Sequence, residues 1–348
     1  MDLSIALILV QDGVVNGAVY ALLGLALVLV FAVTRVIFIP QGEFVTFGAL
    51  TLAMLCEGKS PATVWLLVMG GATAFVMECA RALPARRFRS LARTACLCLA
   101  YPALMVWLVP TLAAMRLPLW GNVILALALV VPLGPMLYRI AYRPLANASA
   151  LVLFIVSMAA HYMLTGLGLV LFGGEGLRTN AISDAKFNLG VLNISAQSLW
   201  VMGSSLVCMT ALWLFFEYTL YGTALRATAI NRIGARLVGI PSALAGSLAF
   251  WLAAAIGALS GILISPLTTI YYDTGLMIGL KGFVGAILGG MVSYPLAALG
   301  ALAVGLIEAF ASFWASALKE SIVFTFIIPV LLWRSLVSRH AAVEDEEE

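Results

Sequence analysis

Eleven long apolar runs dominate this chain and leave it one solvent in which to fold. They lie near 5–33, 36–57, 62–81, 95–115, 119–138, 150–173, 197–217, 243–265, 276–293, 294–317 and 319–334. A spanning helix needs about 20 mostly apolar residues to cross about 30 Å of hydrocarbon. Hydrophobic residues make up 63% of the 348 and charged residues 10%, against about 45–50% and 25% in soluble domains. In water such a chain lacks the polar surface to cover itself, and a bilayer removes that demand. The runs are continuous rather than alternating, which argues against barrel strands of about 10 residues. The expected fold is an all-α, polytopic transmembrane helical bundle of roughly 9–11 membrane segments. One membrane domain covers 1–340, and 341–348 form an acidic disordered tail. The Gly-rich segments 36–57 and 276–293 are candidates for broken or re-entrant spans.

Basic residues orient the bundle, because cytoplasmic loops are enriched in Lys and Arg. Arg81, Arg86, Arg87, Arg89 and Arg93 crowd the loop 81–94. Arg139 with Arg143, then Arg226, Arg232 and Arg236, then Arg334 with Arg339, mark three further basic stretches. The segment 174–196 is polar and nearly balanced, with Glu175, Arg178, Asp184 and Lys186. If the basic stretches are cytoplasmic, 174–196 is an external loop. Span counting then puts the N-terminus outside and the C-terminus in the cytoplasm. The opening Met1-Asp2-Leu3 has no basic n-region, so the first run reads as a retained helix rather than a cleaved signal. The tail from Glu344 to Glu348 holds five of the 16 acidic residues and reads as a solvated end. Gly13 with Gly17, Gly257 with Gly261, and Gly285 with Gly289 have the four-residue spacing of close helix contacts.

Residues for metal or hydrolytic chemistry are scarce. Cys56, Cys79, Cys96, Cys98 and Cys208 lie in or beside apolar runs, and Cys96 and Cys98 have no second pair to complete a zinc site. His161 and His340 are too few for a metal cluster. No G-x-x-x-x-G-K-[ST] pattern occurs, so the chain carries no P-loop. No H-E-x-x-H and no nucleophile–base constellation is present. The expectation is no catalytic residue, no metal, no cofactor and no nucleic-acid partner.

Charges at membrane depth are the first functional clue. Glu43 follows Pro40-Gln41-Gly42 inside the second run, Lys281 sits in a Gly-rich run, and Glu308 lies within the run 294–317. An ionised group at the bilayer centre costs roughly 2.5–3.5 kcal/mol on insertion scales and normally faces the protein interior or a water path. Two readings are open. Gln41, Gly42, Glu43, Lys281 and Glu308 line a translocation route, or Glu43 or Glu308 neutralises Lys281 in an internal salt bridge. Pro40 lacks an N–H and Gly42 loosens a helix, so carbonyls are freed nearby. Such a break either lines a cavity or is a packing kink.

The cytoplasmic segment after Tyr218 is the second clue. Residues 223–238 suit one short helix in which Leu225, Ala229, Ile233 and Leu237 form an apolar stripe. Arg226, Arg232 and Arg236 fall elsewhere on its surface, and Gly239 and Pro241 punctuate its end. A helix of this kind either lies on the lipid surface or docks in a groove of a soluble partner.

Five stretches resemble one family in the order of that family. Asn16-Gly17-Ala18-Val19-Tyr20-Ala21 is similar to its first membrane helix, and Ile37-Phe38-Ile39-Pro40-Gln41-Gly42-Glu43 to its Asn-Phe-Ala-His-Gly-Glu segment. Tyr142-Arg143-Pro144-Leu145 matches a recurring Tyr-Arg-Pro-Leu. Gly222, Arg226, Ala227, Ala229, Asn231, Ala235 and Gly239 fall in the pattern of its coupling loop. Gly279-Leu280-Lys281-Gly282-Phe283, running on to Gly289-Gly290 with Glu308 beyond, resembles its Gly-x-Lys-x-Phe segment. The family is the permease subunit of bacterial branched-chain amino acid ABC importers. The chain departs from it at Gln41, where the family has His, and at Arg232-Ile233-Gly234, where it has Pro or an acid after the Asn.

The resemblance implies a division of labour. Arg226, Ala227, Ala229, Asn231, Ala235 and Gly239 would couple to ATPase subunits, and ATP would bind there rather than on this chain. The implied partners are a second homologous permease, two cytoplasmic ABC ATPases, a periplasmic substrate-binding protein and membrane lipid. The implied location is the bacterial inner membrane, and the implied cargo is a branched-chain or related amino acid. A stand-alone secondary transporter or channel for a small polar solute is the alternative reading.

Overall fold

The structure, a computed structural model, describes residues 3–82, 95–183, 185–189, 192–291 and 293–332. Arg86, Arg87, Arg89, Arg93, Arg334, Arg339, His340 and the tail 341–348 lie outside the described residues. The first run is one helix, α1 (Leu3–Thr34), buried without interruption from Gly17 to Val30. There follow α2 (Gln41–Cys56), α3 (Thr63–Ala82), α4 (Tyr101–Ala114), α5 (Leu119–Tyr142) and α6 (Ala150–Phe172). The segment read as an external loop contains a two-stranded antiparallel hairpin, β1 (Lys186–Leu189) with β2 (Leu192–Ser195). Beyond it run α7 (Ala196–Tyr218), α8 (Leu220–Ile230), α9 (Arg232–Leu237), α10 (Ser242–Ile264), α11 (Thr274–Leu288), α12 (Tyr294–Trp314) and α13 (Lys319–Thr325). Among the described residues, α1, α3, α5, α6, α7, α10 and α12 are long and apolar enough to cross a bilayer. α2, α4 and α11 are shorter apolar helices, and together these elements fall within the expected number of segments.

Both Gly-rich segments contain continuous helices that are shorter than the other apolar helices. α2 has 16 residues and α11 has 15, so each is about 23 Å long, short of a 30 Å core. α1 stops at Thr34, Arg35 takes φ 61°, and Val36–Pro40 are non-helical yet largely buried. Phe38 anchors this stretch against Phe44, Tyr142 and Phe250, with ring centroids 4.6–5.9 Å away. Gln41 Nε2 donates to Ala253 O at 2.9 Å, and Ala253 lies midway along α10. Thus α2 begins inside the bundle and not at its edge. Non-helical backbone is tolerated at this depth because protein surrounds it on all sides.

Contacts sort the helix ends into two faces. At one face Leu29 and Val33 of α1 pack with Leu225 of α8 and Ala245 of α10. Arg232 Nη1 donates to Ala146 O at 3.1 Å, and Arg143 pairs with Glu78 at 2.7 Å, so the second and third basic stretches share this face. At the other face Leu177 bridges Ile270, Arg178 donates twice to Pro266 O, and Thr179 bonds Ser265. The hairpin segment and the α10–α11 turn therefore sit opposite α8 and α9.

Small residues set the helix spacing at all three predicted pairs. α1 and α12 run antiparallel in contact, and a Cβ on Gly13 would sit 2.8 Å from Leu306 Cα and one on Gly17 2.9 Å from Leu302 Cα. Gly257 and Gly261 abut Phe44 and Val45 of α2, while Gly285 and Gly289 abut Ala301 and Ala297 of α12. Without a hydrophobic force between helices in lipid, such close van der Waals packing does much of the work. Gly305→Val, which forces a side chain into Gly13 and Gly17, is expected to destabilise the detergent-solubilised chain by about 1–3 kcal/mol. Gly166→Val, with nothing within 4 Å, is expected to leave the thermal midpoint unchanged. Equal losses at the two positions would show that close approach is not what Gly305 supplies.

Candidate functional site

Two polar loci lie inside the bundle. The first surrounds the start of α2, where Glu43 is wholly buried and its Oε1 lies 2.8 Å from His161 Nδ1 on α6. Thr165 Oγ1 donates to His161 O at 3.0 Å and lies 3.4 Å from Nδ1. A carboxyl and an imidazole at this distance are hydrogen-bonded. Three buried oxygens here, Gln41 Oε1, Glu43 Oε2 and Thr46 Oγ1, have no hydrogen-bond partner among the described residues. Unmet buried acceptors are costly and few in native structures. Gly42 packs directly on the backbone of Gly275, and a Cβ on Gly279 would sit 3.0 Å from Gly42 Cα. The two short helices therefore touch at this point.

The second locus is built around Lys281 of α11. Its Nζ lies 2.5 Å from Glu308 Oε1 on α12 and 3.1 Å from Glu320 Oε1 on α13. Tyr20 of α1 donates its hydroxyl to Glu308 Oε2 at 2.6 Å, and its ring centroid is 5.8 Å from Nζ. One cation thus ties four helices, with two carboxylates facing it.

The five membrane-depth residues named from the sequence do not form one cluster. Lys281 and Glu308 meet, and Gln41, Gly42 and Glu43 belong to the other locus. Of the two salt-bridge partners open to Lys281, Glu308 fills the role and Glu43 does not. His161, Tyr20 and Glu320 were missed. A lone His in an apolar run and an acid opening the last run were the available signals. Among the described residues no group of three or more His, Cys, Asp or Glu is placed to hold a metal ion.

The cytoplasmic-type segment differs from the single helix expected over 223–238. It is two helices that meet at Asn231, and the first begins at Leu220. Thr219 Oγ1 caps α8 by accepting from Gly222 N at 3.0 Å, and Asn231 Oδ1 caps α9 by accepting from Gly234 N at 2.9 Å. Asn231 has extended backbone, so the stripe drawn from Leu225 to Leu237 is broken. Leu225 turns into the bundle, while Ile230, Ile233, Leu237 and Val238 are 74–85% exposed. Ala235 is buried, Ala227 and Ala229 are half-buried, and Asn231 and Gly239 are exposed. Gly239, at φ 89°, closes α9. Arg226 reaches back to Glu217 at 2.9 Å, and Arg236 Nε donates to Ser242 Oγ at 3.2 Å. The result is an exposed apolar patch held in a fixed shape by capped turns and arginines.

Removing one partner of a buried ion pair strands the other. Lys281→Met is expected to cost about 3–5 kcal/mol of stability, measured by thermal unfolding in detergent. Adding Glu308→Leu and Glu320→Gln to that variant is expected to restore much of the loss, because no carboxylate then faces an empty position. A triple variant no more stable than the single one would refute the pairing.

Comparison with known proteins gives a consistent assignment. The family model described as branched-chain amino acid transport system / permease component matches residues 9–332. The high-affinity branched-chain amino acid transport system permease protein LivH of Salmonella typhimurium is 25% identical over 330 residues, covering 92% of this chain and 91% of the relative. LivH of Escherichia coli strain K12 is 30% identical over 203 residues, 56% of this chain and 65% of the relative. The corresponding permease protein BraD of Pseudomonas aeruginosa is 29% identical over 208 residues, 58% of this chain and 68% of the relative. No solved structure matches. With a family model spanning nearly its whole length and seven helices apolar and long enough to cross a membrane among its described residues, this multi-pass membrane protein belongs to the branched-chain amino acid transport permease family.

Proposed function

We propose that the chain is the transmembrane permease subunit of an ATP-driven ABC importer for branched-chain or related amino acids. Membership of a permease family supports the reading of a transporter component. The observation that carries the finer reading is the patch Ile230, Ile233, Leu237 and Val238 at the junction of α8 and α9. Large exposed apolar patches rimmed by charge mark docking surfaces. The chain has no P-loop, so ATP is bound and hydrolysed on two ABC ATPase subunits that dock here. A periplasmic binding protein delivers the cargo to the opposite face, near the hairpin. A second permease, identical or homologous, completes the path.

The orientation follows the basic residues. Arg143, Arg226, Arg232 and Arg236 share the face of α8 and α9, which is then cytoplasmic. α1 runs toward that face, so the N-terminus is outside, and counting spans leaves the C-terminus in the cytoplasm. The location is the bacterial inner membrane. Gln41, Gly42, Glu43, Lys281 and Glu308 border the translocation route in this reading, with the break before α2 exposing backbone to it.

The Glu43–His161 pair favours a second reading, a secondary transporter, since buried carboxylate–imidazole pairs serve as proton relays. That reading requires uptake by this chain alone in proteoliposomes and its loss in Glu43→Gln.

Docking is tested at exposed positions, because Ala235 is buried and charge there disturbs packing. Ile233→Glu with Leu237→Glu is expected to weaken ATPase co-purification at least about tenfold. Membrane insertion and thermal midpoint are expected to stay unchanged. Undiminished co-purification would overturn the coupling role of α8 and α9.

A further inference from the structure

A crevice of about 550 Å³ opens between α4, α5, α7 and α10, lined by apolar side chains such as Leu127, Leu212, Phe215 and Ile256. A second cavity of about 380 Å³ adjoins it toward the face of α8 and α9. The two share Tyr101, Pro132 and Trp251, so they form one groove. Its wall changes character along its length. The deep part is mainly apolar, with Tyr101 and Cys208 among its lining. The mouth carries Arg139, Ser247 and Trp251.

Arg139 is unlike its neighbour Arg143. Arg143 is neutralised by Glu78 at 2.7 Å. Arg139 Nη1 touches only Cys98 Sγ, at 3.4 Å, and among the described residues no carboxylate lies within ion-pair distance. The hydroxyl of Ser247 likewise has no hydrogen bond among the described residues. A half-buried guanidinium without an anion, beside a free hydroxyl and above an apolar groove, is an amphipathic binding site with one missing charge.

We propose that this groove holds one anionic phospholipid of the leaflet on the α8–α9 side. Its phosphate sits on Arg139 and Ser247, and an acyl chain runs along α10 past Trp251, Ala255 and Ile256. Charge complementarity selects this occupant. The groove needs an apolar tail and the mouth needs a negative head, and a phosphatidylglycerol supplies both. Basic pockets between membrane helices on one side are a known form of headgroup recognition. The volumes are in the range that holds small organic ligands. The lipid would brace α7, which is otherwise largely exposed along its length, against α10. The inference does not rest on the transport reading.

The test is native mass spectrometry of the full-length chain in detergent, titrated separately with dioleoyl phosphatidylglycerol and dioleoyl phosphatidylcholine. The wild type is expected to retain one phosphatidylglycerol about fivefold more strongly than phosphatidylcholine, the discrimination of about one cation at a membrane surface. Arg139→Gln is expected to lose that preference, and Arg139→Lys to keep it. Ala255→Trp, which fills the groove, is expected to lose retention of both lipids at an unchanged thermal midpoint. Equal retention of the two lipids by the wild type overturns the proposal. So does an undiminished preference in Arg139→Gln. If Ala255→Trp instead splits a dimeric mass while lipid retention persists, the groove belongs to a second copy and the lipid assignment is wrong.

Discussion

Hydrocarbon offers no hydrogen-bond partner, and that single constraint accounts for most of what is unusual in this bundle. A charged side chain taken to membrane depth needs a partner within the protein, and here that partner comes from another helix. Lys281 finds its partners in Glu308 and Glu320, and Glu308 finds another in Tyr20. These bonds cross-link α1, α11, α12 and α13 at one level. Glu43 and His161 likewise fasten α2 to α6. Charges that look out of place in an apolar sequence are therefore the points at which helix positions are fixed. Their retention also restricts movement, because a helix that slides must keep its partner or replace it.

Glycine sets the complementary condition. A salt bridge across helices needs backbones close enough for short side-chain paths, and Gly42 against Gly275 and Gly17 against Leu302 supply that approach. The contact between α2 and α11 joins two short helices, each too short to cross alone. Where such segments meet, backbone groups that a full helix would satisfy internally depend on neighbours instead. The unpaired oxygens of Gln41, Glu43 and Thr46 lie on the first turns of α2. All three are fully buried, so the close packing around α2 keeps them from solvent.

The sequence revealed local features well and pairings poorly. Run length and continuity specified the helical bundle, and Pro40, Gly42 and the glycines of 276–293 marked the two short helices. The Lys281–Glu308 pair was one of two arrangements the charges allowed. His161 was invisible as a partner because it lies 118 positions from Glu43, and only the fold decides which run faces which. Tyr20, 288 positions from Glu308, reads locally as a packing aromatic. The stripe from Leu225 to Leu237 was misleading for a different reason. Its spacing fits one helix, yet Asn231 favours a cap over a helix interior, and its side chain starts a new helix there. The hairpin strands Lys186–Leu189 and Leu192–Ser195 have four residues each, too short for their alternation to stand out from a loop.

The two polar loci share neighbours with α8, which gives the cytoplasmic-type segment mechanical access to both. α1 touches Leu225 of α8 through Leu29 and Val33, and touches Glu308 through Tyr20. Between Tyr20 and Val33 it is unbroken helix, about 20 Å of it. α10 meets the same cluster at Ala245 and Ala249, and about one turn beyond Ala249, Ala253 holds Gln41. Two unbroken helices thus run from the α8 contact, one to the Glu308 locus and the other to the start of α2. Neither route passes through a flexible link. Shared contact is a route and not a measured coupling, but it places the constraint clearly. α8 is thus joined to Glu308 through α1 and to Gln41 through α10.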